Sequence, residues 1–342
     1  LAPVILAFKE NPIFKVKVIF TGQHKEMALS VLDLFNISID IDLNIMRESQ
    51  TLSYLTSKLV DKLSKELCEH KSHLVFVQGD TTSAFIGALA SFYEKIPVAH
   101  IEAGLRTNNI YEPFPEEANR KLISQIASLN FAPTKLAFNN LLNESIIGKK
   151  IITGNTVIDT LKIMEKKIAN KKFIGFDFLK SQTILLTVHR RENWGENLLN
   201  ILTSVNKIIL ENPNISFLIP MHKNQRVRDP IKNYFRNNKK VFLLEPLKYD
   251  EFVMVMKKCF FIMTDSGGIQ EEATAFGKPV LVLRNTTERV EAISEGSTKL
   301  VGTDPSNIFF NANKLINDQS YFKKLSVNSN PYGNGNASQK IL

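Results

Sequence analysis

The run T-D-S-G-G-I-Q-E-E, residues 264–272, carries the plainest chemical signal in this sequence. An apolar stretch at 260–263 precedes it and a helical stretch follows, so Ser266, Gly267 and Gly268 fall at a strand-to-helix turn. A helix start offers unpaired backbone N–H groups and roughly half a positive charge to a bound anion, and glycines let that anion come close. Glu271 and Glu272 follow in the first turns, where a carboxylate can accept from two vicinal ribose hydroxyls. The chemistry on offer is nucleoside diphosphate binding. An N-cap serine opening an ordinary helix is written with the same letters, so the motif alone fits both readings.

The first half of the chain gathers carboxylates at strand ends. Asp80 closes L-V-F-V-Q-G-D and precedes Thr81 and Thr82, which open a helix, so a helix cap and a catalytic acid fit equally. H-I-E-A-G-L-R-T, residues 100–107, sets Glu102 and Arg106 just past a strand that begins at Val98, and a buried strand end rarely carries a carboxylate without a task. In Y-E-P-F-P-E-E-A-N-R, residues 111–120, Pro115 starts a helix with Glu116, Glu117, Asn119 and Arg120 in its first turns, where the helix dipole favours acids in any protein. In the second half, V-H-R-R-E-N and P-M-H-K-N set His189 and His222 after strands, in the same half as the anion turn; T-G-Q-H-K-E-M sets His24 similarly in the first. A lone histidine is more often structural than catalytic.

These residues need strands to carry them. Short β-branched runs at 15–20, 74–78, 98–101 and 129–132 each precede an amphipathic segment. The pattern restarts after Lys150 with runs at 184–188, 215–219, 241–244, 260–263 and 280–283. Such alternation predicts parallel sheets covered on both faces. The spacing of Leu52, Leu55, Leu59, Leu63 and Leu67 predicts a helix over 51–68 with a buried leucine stripe. The fold class is therefore α/β, with two doubly wound Rossmann-like domains facing a cleft. We expect domains at 1–155 and 156–330, joined near 154–161, and a tail at 331–342 packing back toward the first domain. Ligands of open α/β sheets sit at the carboxyl ends of strands, which makes that cleft the expected site. G-x-G-x-x-G and P-loop patterns do not occur, which argues against a nicotinamide enzyme or a kinase.

Composition narrows the classes further. With 342 residues, 44% hydrophobic and 23% charged, the chain is an ordinary globular protein long enough for two cores. Its net charge of +9 suits an anionic partner. The lysines are scattered and not interleaved with aromatics, so a nucleic-acid partner is not expected, whereas a small polyanion needs only a locally positive cleft. Two cysteines, Cys68 and Cys259, give neither a disulfide framework nor metal-ligand spacing, and fit a reducing compartment. No apolar run approaches the roughly 18 residues that span a bilayer, and residues 1–8 lack a signal-peptide layout, so a cytoplasmic protein without membrane contact is expected.

Taken together, T-G-Q-H, Q-G-D-T-T, H-I-E-A-G-L-R-T, P-F-P-E-E-A-N-R, T-G-N-T-V-I-D, V-H-R-R-E-N and T-D-S-G-G-I-Q-E-E-A resemble the non-hydrolysing UDP-N-acetylglucosamine 2-epimerases in content and order. The likeness runs from about residue 1 to N-P-Y-G-N-G, ending at Gly335. It implies a GT-B-like architecture, a cytoplasmic homodimer without metal or other cofactor, and interconversion of UDP-N-acetylglucosamine and UDP-N-acetylmannosamine, a precursor of surface polysaccharide. In that family UDP leaves carbon 1 while a base takes the hydrogen of carbon 2, giving a 2-acetamidoglucal, and UDP then adds back with protonation from the opposite face. The resemblance makes Asp80, Glu102 and Glu116 the acid–base candidates, with the faces unassigned, and puts His189 near the leaving group. It gives His222, Ser266, Gly267, Gly268 and Glu272 the diphosphate and ribose, and makes Arg284 and Arg289 further anion or closure contacts. His24 and Arg106 complete the substrate-binding candidates.

The sequence also departs from the family pattern. A first strand and a G-T-R-P-E loop are expected ahead of residues 1–8, and the last helix is expected to continue past Leu342, so a clipped sequence is anticipated. Gln23 and Gln50 match positions that hold a second, activating substrate in some members, but Glu26 and Ser49 stand where glutamine and arginine belong. Four alternatives stay open at this point: a sister epimerase on another UDP-2-acetamido sugar, a retaining glycosyltransferase, a hydrolysing relative, and a non-catalytic sugar-nucleotide-binding protein. The glycosyltransferase would have no use for three first-half carboxylates.

Overall fold

The computed structural model describes residues 1–22, 25–45, 50–169, 182–294, 296–326 and 330–342. It divides into two compact units, Leu1–Thr160 with Tyr332–Leu342, and Leu161–Pro331. In the first unit, β1 (Ile19–Phe20) and β2 (Ile41–Asp42) form a parallel pair. Strands β3 (Val75–Gln78), β4 (Val98–Ile101), β5 (Leu129–Ala132) and β6 (Lys149–Ile152) form a four-stranded parallel sheet in that spatial order. The run at 15–20 reads as a longer strand than β1 because the ladder closes at Val18, whose N–H goes to the Asp40 side chain, 2.7 Å away.

Helix Leu52–His70 shows how sequence sets the layer above β3. Thr51 caps its start by accepting from the Tyr54 N–H, and Lys71, left-handed at φ 45°, ends it. Leu55, Leu59, Leu63 and Leu67 are buried against Leu43, Ile45, Ile86 and Ala90. Leu52, in the first turn, is 44% exposed and drops out of the predicted stripe.

In the second unit, β7 (Thr183–Thr187), β8 (Ser216–Pro220), β9 (Val241–Leu244), β10 (Ile262–Thr264), β11 (Val280–Val282) and β12 (Thr298–Leu300) make one parallel sheet in the spatial order β12-β11-β10-β7-β8-β9. Winding proceeds outward in both directions from β7, so the order reverses between β7 and β10. The crevice beyond such a switch point is where doubly wound sheets bind ligands. Ile184, Leu186, Phe217, Ile219, Phe261 and Met263 fill the core with Ile201, Val205 and Ile208 of helix Glu196–Glu211. Strands β6 and β12 escape pattern reading because they are sheet edges, K-K-I-I and T-K-L, where lysine is tolerated and a continuous apolar run is not required.

Residues 332–342 belong to the first unit. The Asn155 N–H donates to the Tyr332 carbonyl at 2.7 Å, beside Gly154 at φ 88°, where a Cβ would stand 2.9 Å from that same oxygen. Asp159 then takes the N–H groups of Ala337 and Ser338 at 3.1 and 2.9 Å, supplying acceptors to the start of helix Ala337–Ile341. Ile341 packs with Val4 and Phe8 of helix Ala2–Glu10 and with Ile101 and Phe131 of the sheet.

Leu59 has no solvent exposure. Leu59→Ala is expected to cost about 3 kcal/mol in urea denaturation, and Leu52→Ala less than about 0.5 kcal/mol. Equal losses at the two positions would contradict this account of the stripe.

Candidate active site

At the strand ends of the first unit, the Gly79 N–H donates to the Ile101 carbonyl at 3.1 Å, so β3 and β4 finish side by side. The helix that follows β3 is capped by Thr81, whose Oγ1 accepts from the Ala84 N–H at 3.2 Å. Asp80 is therefore released from capping. Its Oδ2 meets Arg120 Nη2 at 2.5 Å, and its carbonyl accepts from Asn119 Nδ2 at 2.8 Å. Arg120 Nη1 also lies 3.3 Å from Glu117 Oε2, the oxygen that accepts the Thr107 N–H at 3.1 Å. One buried guanidinium thus serves two carboxylates.

Glu102 holds φ 67°, a left-handed conformation that costs a non-glycine residue about 1–3 kcal/mol and is kept only where the surroundings impose it. Its Oε2 lies 3.6 Å from where a Cβ on Gly79 would stand. Glu116 opens helix Glu116–Ile126 and is half-buried, and among the described residues its carboxylate has no hydrogen-bond or ion-pair partner. Glu102 rests against Gly79, the residue before Asp80, and the helix that Glu116 opens grips Asp80 through Asn119 and Arg120.

Arg106 does not join them. Its Nε and Nη2 bind both oxygens of Glu144, each at 2.7 Å, Nη1 goes to the Leu105 carbonyl, and Nη2 also reaches Ser124. Its side chain is 3% exposed, and in this structure the guanidinium holds the loop after β4 against helix Lys135–Asn143 and its cap.

In the second unit the switch point is organised by Asp265, one residue past β10 and fully buried. Its carboxylate accepts from the N–H groups of His189 at 3.0 Å and Arg190 at 2.9 Å, and from Asn193 Nδ2 at 3.0 Å. His189 Nδ1 stands 3.2 Å from Oδ1. Burial would push this carboxyl up, but the His189 ring and the backbone donors outweigh it and hold the pKa below the usual aspartate value. With Nδ1 directed at Asp265, Nε2 is the nitrogen left for a ligand. The His222 ring stacks beside it, centroids 5.9 Å apart, and its Nδ1 accepts the Asn224 N–H at 3.1 Å. Desolvation and the neighbouring His189 lower the His222 pKa, against the pull of Asp265.

Ser266 occupies the N-cap position of helix Gly267–Ala275 without making a side-chain cap bond, so its hydroxyl remains available. The two glycines serve different ends. A Cβ on Gly267 would come within 2.9 Å of Glu288 Oε1, whereas one on Gly268 would point into open space. Gly267 leaves room for a carboxylate, and the space beside Gly268 is open. That carboxylate belongs to a buried network in which Glu288 joins Arg284 and Arg289, Arg284 Nε reaches Glu192 at 2.6 Å, and Arg289 Nε reaches Glu271 at 2.8 Å. Burial alone would raise the Glu288 pKa, yet Arg289 and Arg284 bring it down to about 2. Both arginines are committed to these acids in this structure. Glu272 is also buried, and Tyr249 donates to its Oε1 at 2.7 Å.

Sequence reading passed over Asp265, Asn193 and Tyr249. Asp265 stood inside the motif beside Ser266, so adjacency was its one available signal; Tyr249 lies 23 positions before its partner and gave none. His24, Gln23 and Ser49, and the side chain of Glu26, lie outside the described residues. Among those described, no helix is long and apolar enough to cross a membrane, and no cluster of three or more His, Cys, Asp or Glu side chains could hold a metal ion.

A family model for UDP-N-acetylglucosamine 2-epimerase matches residues 6–342. The chain is 47% identical to the UDP-N-acetylglucosamine 2-epimerase of Neisseria meningitidis, covering 100% of this chain and 94% of that one, and 45% identical to that of Bacillus subtilis, covering 100% and 90%. Among solved structures, the Neisseria meningitidis enzyme bound to UDP-GlcNAc superposes with a TM-score of 0.96 over 99% of this chain and 94% of that one, at 47% identity. The Methanocaldococcus jannaschii enzyme in complex with UDP-GlcNAc and UDP superposes with a TM-score of 0.88 over 100% and 94%, at 34% identity.

Burial drives the Glu272 carboxyl up to about 7, with the Tyr249 hydrogen bond pulling the other way. Between the ordinary value of 4.5 and about 7, the folded protein keeps a proton that the unfolded chain releases, so stability from this group is full below that window and declines through it as pH rises. Glu272→Gln should then be more stable than wild type at pH 8 by up to about 3 kcal/mol, shrinking toward zero near pH 5. Denaturant titrations at the two pH values check this, and a pH-independent difference would contradict it.

Proposed function

This chain belongs to the UDP-N-acetylglucosamine 2-epimerase family, and from that membership we propose that it interconverts UDP-N-acetylglucosamine and UDP-N-acetylmannosamine without hydrolysing them. The hydrogen on carbon 2 is barely acidic, so direct inversion there is slow. Expelling UDP makes it possible: the carbon 1–oxygen bond breaks with its electron pair going to UDP, a base takes the carbon 2 proton, and the double bond of a 2-acetamidoglucal forms between the two carbons. Addition of UDP back to carbon 1, with a proton delivered to the other face of carbon 2, completes the inversion.

The observation that supports this most is the carboxylate corner of the first unit. Proton delivery to opposite faces needs two acids or bases within reach of one carbon. Asp80, Glu102 and Glu116 are gathered at neighbouring strand and helix ends, and none is consumed as a helix cap. Glu116 is unpartnered among the described residues, and Glu102 is kept in a costly backbone conformation. The departing diphosphate needs fixed positive ends of dipoles, which the start of helix Gly267–Ala275 supplies together with His189 Nε2 and the Ser266 hydroxyl. On this reading the ribose falls to the carboxylate oxygen of Glu272 that Tyr249 does not take.

A homodimer is part of the proposal, supported by the apolar surface that Phe92, Tyr93 and Leu122 expose. So is a cytoplasmic location, in keeping with the free thiols Cys68 and Cys259.

Incubation with UDP-N-acetylglucosamine in deuterated water, followed by proton NMR, is expected to show deuterium entering at carbon 2 together with a UDP-N-acetylmannosamine signal. Free N-acetylmannosamine alone, or transfer without exchange, would replace this reading with hydrolysis or glycosyl transfer. Glu102→Gln should slow exchange by about 10²–10⁴-fold while leaving UDP affinity intact. Wild-type exchange in that variant removes Glu102 from the acid–base set.

A further inference from the structure

His100 stands behind the carboxylate corner and takes part in none of the steps above. It is the third residue of β4, has no solvent exposure, and sits opposite Val77 in the ladder to β3. Its Nε2 lies 2.8 Å from the Gly79 carbonyl. A carbonyl can only accept, so Nε2 carries the ring proton. Nδ1 is then a buried lone pair, and it has no hydrogen-bond partner. Burial, with Arg106 and Arg120 nearby, lowers the ring's pKa to about 4 against the contrary pull of the Gly79 bond, so the ring is neutral at physiological pH.

An orphaned acceptor in a core is costly, and an aliphatic side chain of similar size would avoid that cost. What such a residue could not do is bind the Gly79 oxygen. Gly79 is left-handed at φ 72°, and a glycine, with no Cβ, restrains the peptide that follows it less than other residues do. That peptide carries Asp80. Its oxygen is taken by His100, while the next carbonyl, of Asp80 itself, is taken by Asn119 at 2.8 Å. Glu102 Oε2 borders the same glycine.

We propose that His100 is a positioning residue for the epimerisation: its Nε2–H locks the Gly79–Asp80 peptide and so sets the direction of the Asp80 carboxylate and the floor on which Glu102 rests. This rests on the acid–base reading of Asp80 given above. The substrate is untouched by His100, so its removal acts on turnover and not on UDP binding.

The test compares His100→Leu, which fills the space without a donor, with His100→Gln, whose amide can reach the Gly79 oxygen. For the first, kcat should fall by about 10²-fold, the usual result of a reacting group displaced by about 1 Å, with KM and UDP affinity within about 2-fold. His100→Gln should restore kcat to within about 5-fold of wild type, a rescue that a packing role alone would not produce. Wild-type kcat in His100→Leu, or an equal loss in His100→Gln, overturns the proposal. Should His100→Leu not fold, His100→Asn replaces it, polar but too short to reach, and the same two outcomes decide. In the wild-type protein, ¹⁵N shifts of the ring at pH 7 should show the Nε2–H tautomer, and an Nδ1–H tautomer also overturns it. Asp80→Asn runs alongside: if that variant keeps full carbon 2 exchange, the acid–base reading of Asp80 is what fails, whatever His100 does.

Discussion

A carboxylate sealed from water must be given donors, and in the second unit that requirement fixes everything around the switch point. Asp265 cannot be left uncompensated in the core, so the loop after β7 turns two successive backbone N–H groups and the Asn193 amide toward it. Once those bonds form, His189 has little choice of position: its backbone is one of the donors, and its ring closes on the same acid. Asn193 also bonds the Leu283 carbonyl at the end of β11, so three strands are fastened to one charge. The precision of the site on this side is a by-product of paying a desolvation debt.

The first unit meets the same constraint differently. Here a buried guanidinium, that of Arg120, needs compensation, and Asp80 and Glu117 provide it. Asp80 therefore faces two ways, structurally bonded to Arg120 and a quarter exposed at its side chain. Glu117 is sealed and serves only Arg120 and the Thr107 N–H, although it is the immediate neighbour of Glu116 in sequence. Adjacent identical residues on a helix face different directions, and here that separates an acid in the frame from one open to chemistry.

Most of the strands and the two sets of polar residues at their carboxyl ends were legible in the letters, because parallel strands buried on both faces are written as short apolar runs and their ends as sudden polarity. The strand-to-helix turn at Ser266 was legible too, though the different surroundings of Gly267 and Gly268 were not, since Glu288, which faces the first glycine, lies 21 positions on. The ion pair of Arg106 with Glu144 was not legible, because a cation after a strand looks the same whatever its acid, and Glu144 arrives from a distant helix end. The cap-or-catalyst choice at Asp80 was likewise undecidable from spacing: Asp80 and Thr81 are both good caps, and only the Thr81 hydroxyl turned to Ala84 settles which one acts. Long-range partners are set by packing, and packing is the part that local patterns do not encode.

The return of residues 332–342 to the first unit has a consequence for how the protein is made. The second unit is contiguous and can close as soon as it leaves the ribosome, while the unit synthesised before it waits for Tyr332 to cover Gly154, for Ser338 to meet Asp159 and for Ile341 to cover Val4 and Phe8. During that interval helix Ala2–Glu10 carries uncovered apolar side chains, so the burden on chaperones falls on this helix and is lifted when residues 332–342 return to it.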